Sequence, residues 1–277
     1  MQPPPPEPTL TAEQETTQQQ QQQQAIAQLE ASIPTVDSLL EMQVAIEVAA
    51  SSATVSVSSE ASLLDKDGNT LDTLVPGTTY TAQADGQSLL FNGALLPSLV
   101  WVEPPLGGQF SLNRRTYRGR LLLAVENARL WVVNFVSMRN YLYSVVASEV
   151  SPSWNEEALK AQAVAARSYG MTYYFNPVNS LYHLGDDEYF QVYSGTVTED
   201  DRVRKAVDAT AGEFVSYHGG VVESLYAASD EIVKEAFQGK GMSQLGALAL
   251  AEKGYSYQQI LSNYYPGTSI GRIEQDF

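Results

Sequence analysis

Short turn signals recur through the first half of this chain at intervals of about eight residues, a punctuation that leaves room for short strands and not for long helices. Asp67-Gly68-Asn69, Pro76-Gly77, Asp85-Gly86 and Asn92-Gly93 carry the rhythm. Between them the texture is β-branched and alternating, as in MQVAIEV from Met42 and ATVSVSS from Ala53. Alternation turns one face of each strand toward a core and the other toward water. Residues 40–112 are therefore expected to form an antiparallel β-rich amino-terminal module. A further strand pair, YRGRLLLAVEN and RLWVVNFVSM, turns through Asn127-Ala128 and belongs to the remainder, residues 113–277, where strands mix with helical patterns. The expected fold class is α+β, with the β-rich module packed on a mixed α/β domain.

Residues 1–39 read differently. They begin PPPPEP after Met1 and Gln2, run through the glutamines Gln18 to Gln24, and hold few apolar groups to offset the entropy of ordering. A disordered Pro/Gln-rich tail is expected there. Met1 is not followed by a basic and then apolar export segment, and no apolar run reaches the roughly 20 residues of a membrane span. Net charge is −16, unevenly spread: residues 1–113 hold one basic residue, Lys66, against 13 acidic ones, whereas residues 114–277 hold 15 against 19. Without a basic stripe, nucleic acid is excluded as a partner, because that affinity comes mostly from Lys and Arg on phosphates. The chain has no cysteine, and its two histidines, His183 and His218, make no metal site by spacing. Asp186, Asp187 and Glu188 read as a solvated acidic turn, and neither metal nor cofactor is expected.

The segment YLYSVVASEVSPSWNEEALKAQAVAARSYGMTYY carries the candidate chemistry. It begins apolar, breaks at Pro152, and restarts with Ser153 three residues before Glu156, the spacing of a capping box. A helix is expected from about Trp154 to Tyr174. At about 100° per residue, Glu156, Lys160 and Arg167 share one charged face, opposite a small apolar stripe of Leu159, Ala163, Ala166 and Gly170. Glu149 stands just ahead of this helix, between VVAS and Val150, where a carboxyl can lose its water. Desolvation raises a carboxyl pKa, and an acid still protonated near neutral pH can protonate a leaving oxygen. From position alone, the alternative is a surface glutamate paired with an arginine.

YLYSVVASEVSPSW followed by EALKAQAVAARSYG resembles the signature of the SpoIID/LytB family, the stage II sporulation protein D and amidase-enhancer group. The resemblance continues through YRGRL at 117–121, QVYSG at 191–195, AVDATAGEFVSYHGG at 206–220 and GMSQLGALALAEKGYSYQQILSNYYPGT at 241–268. It implies that residues 113–277 form a catalytic-type domain. It also implies a lytic transglycosylase acting on peptidoglycan glycan strands, best on strands stripped of their peptides. Glu149 corresponds to the family's essential acid. Lys160, Arg167, Gln191, Ser243 and Gln244 would line or organise the groove. For Lys160 the alternative is pairing with Glu156, and for Gln191 a hydrogen bond to backbone. In such chemistry one carboxyl protonates the glycosidic oxygen and then takes the proton of the sugar's own 6-hydroxyl, closing a 1,6-anhydro ring.

The chain departs from the family between Ser229 and Gly241, where a longer region ending in a histidine-containing GHGVGMSQ is usual. A non-catalytic wall-binding module that enhances a cell-wall amidase is therefore the second reading. By resemblance the compartment is the cell envelope or the extracellular space, and the partners are glycan strands and, under the second reading, an amidase. Further helices are expected near 243–253 and 256–264, the last capped by Ser256 and stopped by Pro266-Gly267.

Overall fold

The computed structural model describes residues 35–273, so residues 1–34 of the tail expected over 1–39 lie outside the described residues. The last part of that expectation gives way to structure: Val36–Ser38 forms a 3-10 turn whose Asp37 is fully buried.

The turn rhythm of the first half produces the strands it predicts. Ala61–Asp65 and Thr70–Leu74 flank Asp67-Gly68-Asn69 as an antiparallel pair, and Tyr80–Asp85, Ser88–Phe91 and Ala94–Leu96 form a meander through Gly86 and Asn92-Gly93. Asn127 and Ala128 both take positive φ, 53° and 56°, as a two-residue turn matched to strand twist requires. They join Arg120–Glu126 to Arg129–Ser137.

These strands build two sheets that share one core. The first runs, in spatial order, 184–185, 41–50, 129–137, 120–126, 99–103, 61–65 and 70–74. Its neighbours are antiparallel except at the edge, where Leu184–Gly185 lies parallel to Glu41–Ala50. The second sheet runs 115–118, 109–112, 52–57, 80–85, 88–91 and 94–96. Val55, Leu89 and Phe110 of one sheet pack with Leu63, Val102 and Leu121 of the other. The α+β class holds, with the β-rich part at its amino-terminal side. The expected division at 112/113 falls inside a hairpin, since Gln109–Leu112 pairs directly with Arg115–Arg118 through Asn113-Arg114. Glu41–Ala50 also pairs with Arg129–Ser137, so one sheet draws strands from both sides of that line.

Strand 129–137 runs straight into helix α1 (Met138–Glu149), whose N-cap Ser137 accepts the Asn140 N–H. Sequence reading missed this helix. Tyr141, Leu142, Tyr143, Val145 and Val146 are all buried, so its apolar residues show no one-sided period. Helix α2 (Glu156–Phe175) begins at Asn155, which caps the Glu157 N–H at 2.9 Å. The expected capping box at Ser153 is not formed, because Ser153 Oγ bonds Ser151 Oγ and asparagine is as good an N-cap. Leu159, Ala163 and Ala166 enter the main core, as the stripe predicts, and Ala158, Ala161 and Ala165 meet a second core. A Cβ added at Gly170 would meet Met138 and Tyr141 of α1 at an ordinary contact distance of 3.5 Å.

Beyond α2 come α3 (Asp201–Ala209), α4 (Asp230–Phe237), α5 (Gln244–Glu252) and α6 (Tyr257–Tyr264). Ser243 caps α5, and Ser256 with Gln259 forms a full capping box on α6. Helices α5 and α6 close the second core through Ala247, Ala251, Ile260 and Leu261 against α2. No helix among the described residues is long and apolar enough to cross a membrane.

Candidate functional site

Glu149 is the last residue of α1. The buried stretch from Tyr141 to Val146 anchors the helix, and its end delivers the carboxyl half-buried. Two amide donors hold it: the Val192 backbone N–H reaches Oε1 at 3.1 Å, and Gln244 Nε2 reaches Oε2 at 3.3 Å. Burial raises its pKa above the ordinary carboxyl value, and the two hydrogen bonds oppose that rise. The carboxyl-terminal end of a helix carries partial negative charge, which also disfavours the ionised form. Both partners are neutral, and among the described residues no cation offsets the desolvation.

The loop that supplies Val192 is clamped from several sides. Tyr193 Oη donates to Asn134 Oδ1 at 2.8 Å, and the Ser194 N–H donates to Ser144 Oγ of α1 at 3.1 Å. Gly195 has φ 71°, and a Cβ there would come within 2.2 Å of the Thr116 carbonyl oxygen, so only glycine lets the loop lie on the hairpin strand. Gln191 is buried and satisfied at both ends. Its Oε1 accepts from Tyr141 Oη at 2.8 Å, while Nε2 donates to Tyr226 Oη at 2.7 Å and to the Ala166 carbonyl at 3.3 Å. Tyr226 in turn lies near Glu149; burial first, and then the neighbouring carboxyl, raise the phenol's pKa.

Gln244 arrives from the opposite direction. Met242–Ser243 pairs in parallel with Tyr226–Ala227, and Ser243 Oγ accepts the Gly246 N–H at 3.0 Å to start α5. A Cβ on Gly246 would overlap the Tyr264 hydroxyl at 1.9 Å, which explains the glycine in GMSQLG. Ser243 is therefore a buried cap that sets Gln244, itself 6% exposed, against Glu149.

Of the residues singled out in the sequence, Gln191, Ser243 and Gln244 thus assemble around Glu149. Lys160 and Arg167 do not. Lys160 pairs with Glu156 at 2.6 Å and Glu157 at 3.0 Å, beside α6, whose Tyr257 N–H donates to Glu157. Arg167 is fully buried: its guanidinium pairs with Asp37 at 2.9 Å and donates to the Val207 and Glu213 carbonyls. The helical wheel put these charges on one side of α2, but they end at different depths: Arg167 is buried against the 3-10 turn, α3 and the strand Glu213–Tyr217, whereas Lys160 stays with the exposed Glu156 near α6. The acidic turn differs from expectation too. Asp186 is partly buried beside Arg115, and burial pushes its carboxyl up to about 6.

Two contributors escaped sequence reading, and one further buried amide lies on α2. The Val192 donor is backbone, which a side-chain pattern cannot register. Tyr226 stood undistinguished among many tyrosines. Gln162 is 1% exposed, and neither of its amide atoms has a partner among the described residues. It lies one turn from Ala166 on α2, the face that meets Gln191. Two surface hollows, of about 610 and 480 Å³, lie elsewhere, around Arg118 and Arg120 and around Phe175 and Phe214.

Comparison with known proteins bears on this arrangement. Residues 126–217, which include Glu149 and Val192, match the family model described as Stage II sporulation protein. An uncharacterized protein of Brachyspira hyodysenteriae is 38% identical over 120 residues, 43% of this chain and 33% of that protein. The amidase enhancer of Bacillus subtilis is 36% identical over 95 residues, 34% of this chain and 12% of the enhancer. Stage II sporulation protein D of the same organism is 29% identical over 122 residues, 38% of this chain and 35% of its own length. The matched chain thus spans about a third or less of each of these relatives.

Proposed function

We propose, for a chain that belongs to the SpoIID/LytB family through its segment 126–217, that it acts on cell-wall glycan as a lytic transglycosylase with Glu149 as its single acid/base. The observation that carries this reading is the state of Glu149: a half-buried carboxyl, raised in pKa by burial and held, among the described residues, by two neutral amides. Protonated, it can give its proton to a glycosidic oxygen as the bond to the anomeric carbon breaks. The carboxylate so formed keeps its two amide donors. It then accepts the proton of the sugar's 6-hydroxyl as that oxygen bonds the anomeric carbon, so the product ends in a 1,6-anhydro ring and Glu149 is protonated again. No water is consumed and no second carboxylate is needed, unlike glycoside hydrolysis by a carboxyl pair.

In this reading Val192 and Gln244 are the positioning donors, and Gln191 fixes Tyr226 beside the carboxyl. Lys160 and Arg167 support the fold. The proposed compartment is the cell envelope and the proposed partner is the peptidoglycan glycan strand. A second reading, a wall-binding module that enhances a cell-wall amidase, draws on the similarity to the amidase enhancer and on the short span from Ser229 to Gly241, occupied by α4.

The deciding experiment incubates the protein and its Glu149→Gln variant with peptide-stripped glycan strands and measures 1,6-anhydro-muramyl ends by mass spectrometry. Ends from the parent but not from the variant support the enzyme. Binding by both without any new ends supports the enhancer reading instead.

A further inference from the structure

Tyr189 presents its ring to solvent three residues before the Val192 donor. It is 80% exposed, unusually open for an aromatic side chain in so constrained a loop. The Tyr189 N–H is held by Asp187 Oδ1 at 3.1 Å, the Phe190 N–H by the Asp187 carbonyl at 3.1 Å, and the Tyr193 N–H by the Asp186 carbonyl at 3.0 Å. A Cβ on Gly185 would press on the Phe190 ring at 3.0 Å, so backbone and ring are closely packed there. The loop is ordered by its own bonds, yet its outermost ring is left open to solvent on most of its surface.

That ring is the end of an aromatic shelf. Tyr169 and Tyr173 lie with centroids 5.1 Å apart, Phe190 stands edge-on to Tyr173 at 5.4 Å, and Tyr189 stands edge-on to Phe190 at 5.0 Å. Exposure rises along the series from buried Tyr169 to open Tyr189. Three residues of chain span at most about 11 Å, so the Tyr189 backbone lies within about that distance of the Val192 backbone that donates to Glu149. An aromatic face fixed in place loses little entropy on binding, and the apolar face of a pyranose matches it. Asp187, Glu188 and Glu223 are exposed around the shelf, and this acidic rim repels a sugar bearing a carboxylate.

Resting on the glycan reading of Glu149, we infer that Tyr189 is a sugar-stacking platform next to the acid, and that the sugar it holds is the neutral N-acetylglucosamine of the strand and not its acidic muramic neighbour. Binding can be measured apart from cleavage. Peptide-stripped strands and chitotetraose, a neutral oligomer of N-acetylglucosamine, are titrated calorimetrically into the Glu149→Gln protein, and again with Tyr189→Ser or Tyr189→Phe added. Tyr189→Ser is expected to weaken both ligands about 5- to 10-fold, while Tyr189→Phe binds as its parent does. Equal strand binding by the Ser variant and its parent overturns the platform, and chitotetraose that does not bind overturns the neutral-sugar assignment. Anhydro ends from the unmutated protein test the acid reading separately, so either idea can fail alone.

Discussion

Gln244 donates its side-chain amide to Glu149 at 3.3 Å across 95 residues of chain, joining the end of one helix to the start of another at a single carboxyl. That hydrogen bond stabilises the ionised form, since an amide N–H serves a carboxylate better than a protonated acid. Gln244→Leu is therefore expected to raise the Glu149 pKa further. A general acid works only while protonated, so its activity falls as pH rises through its pKa. The alkaline limb of the pH–rate profile should move to higher pH, with a lower maximum because the carboxylate stage loses a donor. An unmoved limb would mean that Gln244 has no hold on the acid.

Arg167 and Asp37 form an ion pair with both side chains fully buried. Arg167→Met leaves the Asp37 carboxylate buried without its cation and is expected to cost about 3–5 kcal/mol, read as a drop in the denaturant midpoint. Adding Asp37→Leu removes the stranded charge and should recover most of that loss. Were the single variant as stable as the parent but unable to bind glycan strands, Arg167 would be a groove residue and not a strut.

Asp186 titrates against the fold. Its carboxyl is pushed up from 3.8 to about 6, chiefly by burial, so the folded chain holds the proton more tightly than the unfolded chain does. Stability is thus full below about 4 and is lost as pH rises to about 6, by up to about 3 kcal/mol. Asp186→Asn cannot ionise, so its melting temperature should change less over that window than the parent's. Parallel curves for the two proteins would remove Asp186 as the cause.

How much of this was legible in the sequence depended on how local the cause was. The hairpins at Asp67-Gly68-Asn69 and Asn127-Ala128, and the Ser256 cap, act within a few residues and could be read directly, whereas Ser243, expected to line or organise the groove, proves to be the cap of α5. Helix α1 could not, because a helix buried on every side has no polar face to set its period. On α2, Arg167 points into the protein and not toward a groove, since Asp37 meets it from 130 residues away. Glu149 was found through its apolar surroundings and the family resemblance. Its strongest backbone partner, the Val192 N–H, exists only once the loop is folded onto Ser144 and Asn134.

Gln162 gives the sharpest separation of folding from function. It is buried on α2 with both amide atoms unpartnered among the described residues, an arrangement that costs roughly 1–3 kcal/mol for a stranded polar group. One turn toward the helix start, Ala158 packs with Met242 and Ala247, next to Gln244; one turn onward, the Ala166 carbonyl receives Gln191. The amide therefore lies between the two segments that hold Glu149. Gln162→Met keeps the volume and removes the unsatisfied atoms, so the variant should unfold at a higher temperature than the parent, by about 1–3 kcal/mol of added stability. If the amide serves the acid or its substrate, the same variant should release anhydro ends more slowly, the familiar opposition between a strained site and a stable fold. A stabilised variant with unchanged turnover would reduce Gln162 to a packing defect, and a destabilised one would mean that the amide has partners in solution.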